Sequence, residues 1–198
     1  MQGLIILVLS FLASFLLSKF TNLKPLVNYK DKFEYVPILT SNIFADLLII
    51  YITFTGILGV GKSWQVLTKW YKKYRLSAMV CDILIGVLYL LIARYIAYNI
   101  NYEFDIFTFS ILAVLVQLVF DFLFYLIFMA LPKGHNHMLD LFKDWAKFAK
   151  ADALWGDSIL VIVGVILSSF LNQQSFDFNM FTLIFSAYLV PYIIHMKD

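Results

Sequence analysis

The 198-residue chain has little charge and a single cysteine, and each scarcity excludes a class of protein. Charged residues make up 14% of the sequence and hydrophobic residues 62%, whereas soluble domains are about 25% charged. These proportions exclude a soluble domain of any size and indicate an integral membrane protein. The net charge of +2 gives no support for nucleic-acid binding. Cys81 has no partner for an intrachain disulfide, and we interpret it as a small apolar residue near the start of a span.

Motifs of catalysis and cofactor binding are also missing. The sequence has no phosphate-binding loop, no Cys-x-x-Cys pair, and no serine, histidine and aspartate in the order of a hydrolase triad. His135 and His137 lie two residues apart, but no third ligand of metal type is spaced around them. We therefore predict no enzyme activity, no metal and no cofactor. An enzyme acting on lipid would need both histidines and an acid to converge at one interface.

Six apolar segments predict an all-α, polytopic membrane protein with about six spans. A bilayer core about 30 Å thick needs roughly 20 apolar residues per helix. Alternating ten-residue patterns, which are typical of transmembrane strands, are absent from the sequence. The first segment lacks the basic start of a secretory signal, so we interpret it as a retained anchor. The segments cover residues 3–19, 38–58, 77–98, 105–131, 153–172 and 179–195.

Two aspartates recur at a fixed interval, which indicates an internal duplication. Asp46 precedes Asp121, and Asp82 precedes Asp157, by 75 residues. We predict a parallel tandem repeat of span, amphipathic surface helix and span. The chain then divides into an N-terminal anchor and linker (1–37), a first repeat unit (38–98), and a second unit with a C-terminal span (99–198). Further residues that coincide at this interval are Gly59 and Gly134, Trp70 and Trp145, Lys72 and Lys147, and Ala78 and Ala153.

Two charged segments, 61–75 and 135–150, lie at equivalent places in the repeat and predict interfacial helices. Each places aromatic and aliphatic residues on one face and charged residues on the other, as suits a helix at the headgroup boundary. We expect their basic residues to contact lipid headgroups or partner proteins. These residues are Lys62, Lys69, Lys72, Lys73 and Arg75 in the first segment, and Lys143, Lys147 and Lys150 in the second.

The distribution of basic residues predicts an orientation. Both surface segments are basic, whereas the turns at 98–105 and 172–177 contain neither lysine nor arginine, so the positive-inside rule places the surface segments on the cytosolic side. With six spans, both termini share that side. The linker 19–36 conflicts with this topology, because it carries four lysines and yet would lie on the far side. Alternatively, the first segment is re-entrant or interfacial, and the linker lies on the basic side.

The aspartates deep inside apolar segments leave two hypotheses open. An ionised aspartate at the bilayer centre costs about 2.5–3.5 kcal/mol on insertion scales, so it faces the bundle interior, pairs or stays protonated. Asp46 and Asp121 are then either the proton or cation site of a small channel or transporter, or members of interhelical hydrogen bonds that fix packing. For Asp121 the expected partner is Gln117, Tyr125 or a backbone carbonyl. We favour the packing hypothesis.

Asp82 and Asp157 are expected about one turn into their spans, directly after the surface segments. A carboxylate near a helix N-terminus interacts favourably with the helix dipole and accepts bonds from free backbone amides. We therefore expect capping, or ion pairs with Arg75 and Lys150.

Arg94 is the basic residue that the sequence places deep within a span. Its long side chain can reach toward the far interface. A pair with Glu103 or Asp105 is the expected arrangement.

Three stretches resemble small multi-span membrane proteins of nucleocytoplasmic large DNA viruses, the giant viruses. They run from Trp70 to Ile85, from Met138 to Lys147 and from Ala153 to Ser158, and the resemblance covers residues 40–172. It implies no catalytic residue. It implies a virion protein in the internal membrane beneath an icosahedral capsid, such as a minor capsid component that ties membrane to shell. Its partners would be the lipid bilayer and capsid or other virion membrane proteins, with a homo-oligomer as a further expectation.

Overall fold

The computed structural model describes residues 2–56, 62–100, 102–149 and 151–196, which form helices and no strand. This confirms the predicted all-α class. Among the described helices, α1, α2, α4, α5 and α8 are long and apolar enough to cross a membrane, whereas the apolar stretch of α7, Trp155–Leu171, is shorter. A one-turn 3-10 helix, Lys32–Glu34, precedes α2. The α-helices are α1 (Gln2–Phe20), α2 (Tyr35–Thr55), α3 (Lys62–Tyr74), α4 (Leu76–Ile100), α5 (Ile106–Ala130), α6 (His137–Ala149), α7 (Ala151–Leu171) and α8 (Phe176–Ile194).

The helix bounds follow the 75-residue interval. The short helices α3 and α6 begin 75 residues apart, at Lys62 and His137, and α4 and α7 do so at Leu76 and Ala151. The ends of α2 and α5 are separated by the same interval. The order of long helix, short amphipathic helix and long helix therefore occurs twice in the predicted register. A duplication as its origin stays a prediction.

Residues at the helix ends explain several of these bounds. Asp105 forms a capping box at the start of α5, where its carboxylate accepts from the Thr108 backbone N–H at 2.7 Å and its own N–H donates to the Thr108 hydroxyl at 3.0 Å. Gly56 ends α2 in the left-handed conformation, with a φ of 67°. Arg75 is also left-handed, with a φ of 47°, and is the single residue between α3 and α4. The surface helix is thus joined to the span with almost no slack.

The helices α2 and α7 lie at the centre of the bundle. α7 packs against α1, α2, α4 and α5, and α2 also packs against α4 and α8. Where α2, α4 and α7 meet, the Asn42 side-chain oxygen lies 2.3 Å from the place that a Cβ on Gly86 would occupy. Glycine permits this close approach, as small residues commonly do between membrane helices. The outward faces carry exposed leucine, isoleucine and phenylalanine, as expected for contact with lipid.

The surface helices α3 and α6 lie together at one end of the bundle. The rings of Trp70 and Phe142 have centroids 4.7 Å apart, and the Tyr74 hydroxyl donates to the His137 carbonyl at 2.6 Å. The two helices therefore occupy the same side, as the repeat predicts.

The linker between α1 and α2 lies at the opposite end of the bundle. Gln173, just past α7, donates to the Asn22 carbonyl at 3.1 Å, and Arg94, near the end of α4, donates to the Asn28 carbonyl at 2.8 Å. The start of α1 instead approaches Trp155, near the start of α7. α1 thus runs alongside α7 from one end of the bundle to the other. This contradicts the alternative of a re-entrant or interfacial first segment, because that alternative needs the linker beside the surface helices.

Candidate functional site

Two aspartates of the first repeat unit lie against the inner face of α3. Asp46 is 3% exposed and accepts a hydrogen bond at Oδ1 from the Tyr71 hydroxyl at 2.7 Å. Asp82 accepts at Oδ2 from the indole Nε1 of Trp70 at 3.0 Å. Trp70 and Tyr71 are consecutive residues of α3, and both are buried. The surface helix is therefore bonded to both long helices of its own unit.

Tyr71 lies close to both of these carboxylates. Burial, followed by the charges of Asp46 and Asp82, raises the pKa of Tyr71 well above its ordinary value. The hydroxyl therefore keeps its proton at neutral pH and acts as a hydrogen-bond donor.

In the second unit, Asp121 joins α5 to α4. Its Oδ1 accepts from the Tyr89 hydroxyl of α4, and its Oδ2 accepts from the side-chain amide of Gln117 one turn earlier on α5. The Gln117 oxygen in turn accepts from the Ser158 hydroxyl of α7 at 2.7 Å. The predicted bond to Gln117 is confirmed. The tyrosine partner is Tyr89 and not Tyr125, which is exposed on the outer face of α5.

The four aspartates approach one another around α4. The charge of Asp82 acts on both Asp46 and Asp157, and Asp157 is also within electrostatic range of Asp121. The Tyr89 hydroxyl lies near Asp82, Asp121 and Asp157. The residues that the 75-residue interval relates therefore meet in one cluster between α2, α4, α5 and α7, which we call the aspartate cluster.

The aspartate cluster lies in the half of the bundle nearer the surface helices. Asp46 and Asp121 precede the ends of α2 and α5 by nine residues, or about 14 Å at 1.5 Å per residue. Asp82 and Asp157 follow the starts of α4 and α7 by six residues, or about 9 Å. All four therefore lie at similar depth below α3 and α6.

This depth corrects the prediction that Asp82 and Asp157 cap their helices. Both lie beyond the first turn, where the backbone amides are already bonded within the helix. Asp82 accepts from Trp70, whereas the Arg75 guanidinium donates to the Ile194 carbonyl at the end of α8, so the predicted ion pair of Asp82 with Arg75 is wrong. Lys150, the expected partner of Asp157, lies outside the described residues.

Arg94 is fully buried and bonds to a segment that the sequence analysis did not consider. Its NH2 atom lies 2.5 Å from Glu34 Oε2, and it also donates to two backbone carbonyls of the linker at 2.8 and 3.2 Å. The predicted pair with Glu103 or Asp105 is therefore wrong, because the linker folds over the end of α4 and brings Glu34 to the guanidinium. Asp105 instead caps α5.

The predicted basic faces differ between the two surface helices. On α3, Lys69 and Lys73 are exposed and Lys72 is half-buried. On α6, Lys143 is 5% exposed and donates to the Leu131 carbonyl. The prediction that Lys143 faces lipid or a partner is therefore wrong, because the loop after α5 folds against α6 and supplies an acceptor. The side chains of Lys62, Lys147 and Lys150 lie outside the described part of the chain.

The comparisons with known proteins add no family to this geometry. No protein-family model matches the chain, and no curated protein or solved structure is significantly similar to it. Within the described residues, no three histidine, cysteine, aspartate or glutamate side chains are grouped to hold a metal ion. The resemblance to giant-virus membrane proteins stays a prediction, and the site is argued from its contacts alone.

Proposed function

We propose that the chain is a structural integral membrane protein whose intramembrane aspartates fasten its helices together. The observation that supports this proposal is that Asp46, Asp82 and Asp121 each accept a hydrogen bond from an aromatic side chain of a different helix. Such interhelical bonds contribute on average about 0.6 kcal/mol and at most about 1.7 kcal/mol each in a membrane protein. Together they hold α2, α3, α4 and α5 in a fixed arrangement, with no need for turnover.

The setting that we propose for this protein is the internal membrane of a large DNA virus, as a minor capsid component that links membrane to capsid. Support comes from the sequence resemblance and from the joined α3 and α6, which offer a polar platform at one end of an apolar bundle. Mass spectrometry of purified particles tests this setting. We expect the protein in the particles at a constant ratio to the major capsid protein, and its absence from them contradicts the proposal.

A second candidate function, proton conduction, is favoured by one atom. Oδ2 of Asp46 is buried and has no hydrogen-bond partner among the described residues. An unpaired carboxylate at bilayer depth is costly, and intramembrane aspartates commonly serve as proton relays. The grouping of four aspartates around two tyrosine hydroxyls supplies further acceptors and donors for such a relay.

The two functions are separated by two substitutions at one position. Asp46→Asn keeps an acceptor for the Tyr71 hydroxyl but cannot titrate, whereas Asp46→Leu removes the acceptor. Under the structural proposal, Asp46→Asn stays close to wild-type stability and Asp46→Leu is destabilised. Under proton conduction, liposomes with the wild-type protein show proton flux that Asp46→Asn abolishes and that the exposed control Asp177→Asn retains. No flux under any gradient excludes the second candidate.

A further inference from the structure

An open cavity of about 430 Å³ lies between α3 and α6. Thr68, Lys69, Lys72 and Lys73 of α3 line one side of it, and Leu141 of α6 lines the other. The three lysines are spaced three and four residues apart, so they lie on one face of the helix. We call this cavity the lysine groove.

The charge of the lysine groove is of one sign. The sequence contains five basic residues and no acidic residue between Asp46 and Asp82, so α3 supplies no carboxylate of its own. On the neighbouring segment, Asp144 lies 2.6 Å from Lys133, and Asp140 accepts from the Gly134 N–H. An anion of suitable size therefore meets several ammonium groups in the groove.

The position of the groove matches the headgroup level of a bilayer. Trp70 and Tyr71, on the same helix as the lysines, point into the bundle and are buried, whereas Lys69 and Lys73 are exposed. Arg75 alone separates α3 from α4, which holds the lysines next to the end of a span. Basic residues beside a span are where anionic lipids are recognised.

We propose that the lysine groove binds the phosphate of an anionic phospholipid headgroup. The ammonium groups of Lys69, Lys72 and Lys73 contact the phosphate oxygens, the Thr68 hydroxyl lies beside them, and Leu141 packs against the glycerol and the first methylenes. α6 contributes an apolar wall and not a second basic face, since Lys143 is directed to the Leu131 carbonyl. This proposal does not depend on the role of the aspartate cluster.

The test compares lipid binding by the full-length protein and two matched variants in nonionic detergent. Lys69→Gln/Lys73→Gln removes two exposed charges from the groove, and Lys24→Gln/Lys32→Gln removes two exposed charges from the linker at the opposite end. Native mass spectrometry gives the Kd for phosphatidylglycerol and for phosphatidylcholine. Because each lysine near an anionic lipid contributes about a fivefold change in affinity, we expect roughly 25-fold weaker phosphatidylglycerol binding in the groove variant.

The control variant is expected to bind phosphatidylglycerol like wild type, and phosphatidylcholine binding should be equally weak in all three proteins. Lys69→Arg/Lys73→Arg, which keeps both charges, should retain phosphatidylglycerol binding. Unchanged affinity in the groove variant, or an equal loss in the linker variant, overturns the proposal. Displacement of the lipid by inorganic phosphate at the same concentration also overturns it, because the site would then take a free anion.

Discussion

The buried pair of Arg94 and Glu34 gives the sharpest prediction for stability. The Arg94 side chain is 0% exposed and that of Glu34 8%, and their charged atoms lie 2.5 Å apart. The same guanidinium donates to two carbonyls of the linker, and its centre lies 5.3 Å from the Tyr35 ring. Arg94 therefore holds both the linker and the start of α2 against α4.

Arg94→Met removes the charge and keeps much of the side-chain volume. Removing one partner of a buried ion pair costs about 3–5 kcal/mol, because the other charge is left without compensation. In the double variant Arg94→Met/Glu34→Leu the uncompensated charge is gone, so most of this loss should be recovered. The linker carbonyls still lack their donor, and we expect a remaining cost of about 1–3 kcal/mol.

The assay is reversible unfolding of the purified protein in mixed detergent and SDS micelles, which reports the free energy of unfolding for each variant. Lys24→Gln, an exposed substitution in the same linker, serves as the control and should match wild type. A loss below about 1 kcal/mol for Arg94→Met would refute the reasoning, because exposed ion pairs have that magnitude. A double variant less stable than Arg94→Met would refute it as well.

Two further predictions concern packing and pH. Gly86→Ala should destabilise the protein by about 1–3 kcal/mol in the same assay, because the new Cβ would lie 2.3 Å from the Asn42 oxygen; Gly164→Ala, with no contact closer than 3.6 Å, should be tolerated. Burial raises the pKa of Asp105, but hydrogen bonds from Thr108 and the nearby positive charge of a lysine lower that pKa below its ordinary value. Its cap therefore stabilises α5 above about pH 4 and weakens as the pH falls further, a dependence that unfolding from pH 7 to pH 3 should show for wild type and not for Asp105→Asn.

The helices could be predicted from sequence because their signals are local. A span needs a run of apolar residues, and a surface helix needs a charged and an apolar face, both of which the chain shows within single segments. The predicted surface segments 61–75 and 135–150 correspond to α3 and α6, and each predicted span overlaps one long helix. The scarce aspartates also indicated the interval at which the helix bounds recur.

The partners of the polar side chains could not be predicted, because they depend on how distant segments fold together. Glu34 lies 60 residues before Arg94, and only the folded linker brings them into contact. Lys143 belongs to the charged face of α6 by helical spacing, yet the preceding loop covers that position. Tyr89 was within reach of sequence reasoning, since it follows Asp82 by seven residues, which is two turns on the same face of α4.

The central claim, that the intramembrane aspartates join helices, is tested most directly by a double-mutant cycle between Tyr71 and Asp46. The variants Tyr71→Phe, Asp46→Leu and their combination are compared with wild type in the unfolding assay, and the cycle isolates the free energy of the hydrogen bond between them. We predict a favourable coupling of about 0.6–1.7 kcal/mol, the range measured for interhelical bonds. A coupling indistinguishable from zero would contradict the claim.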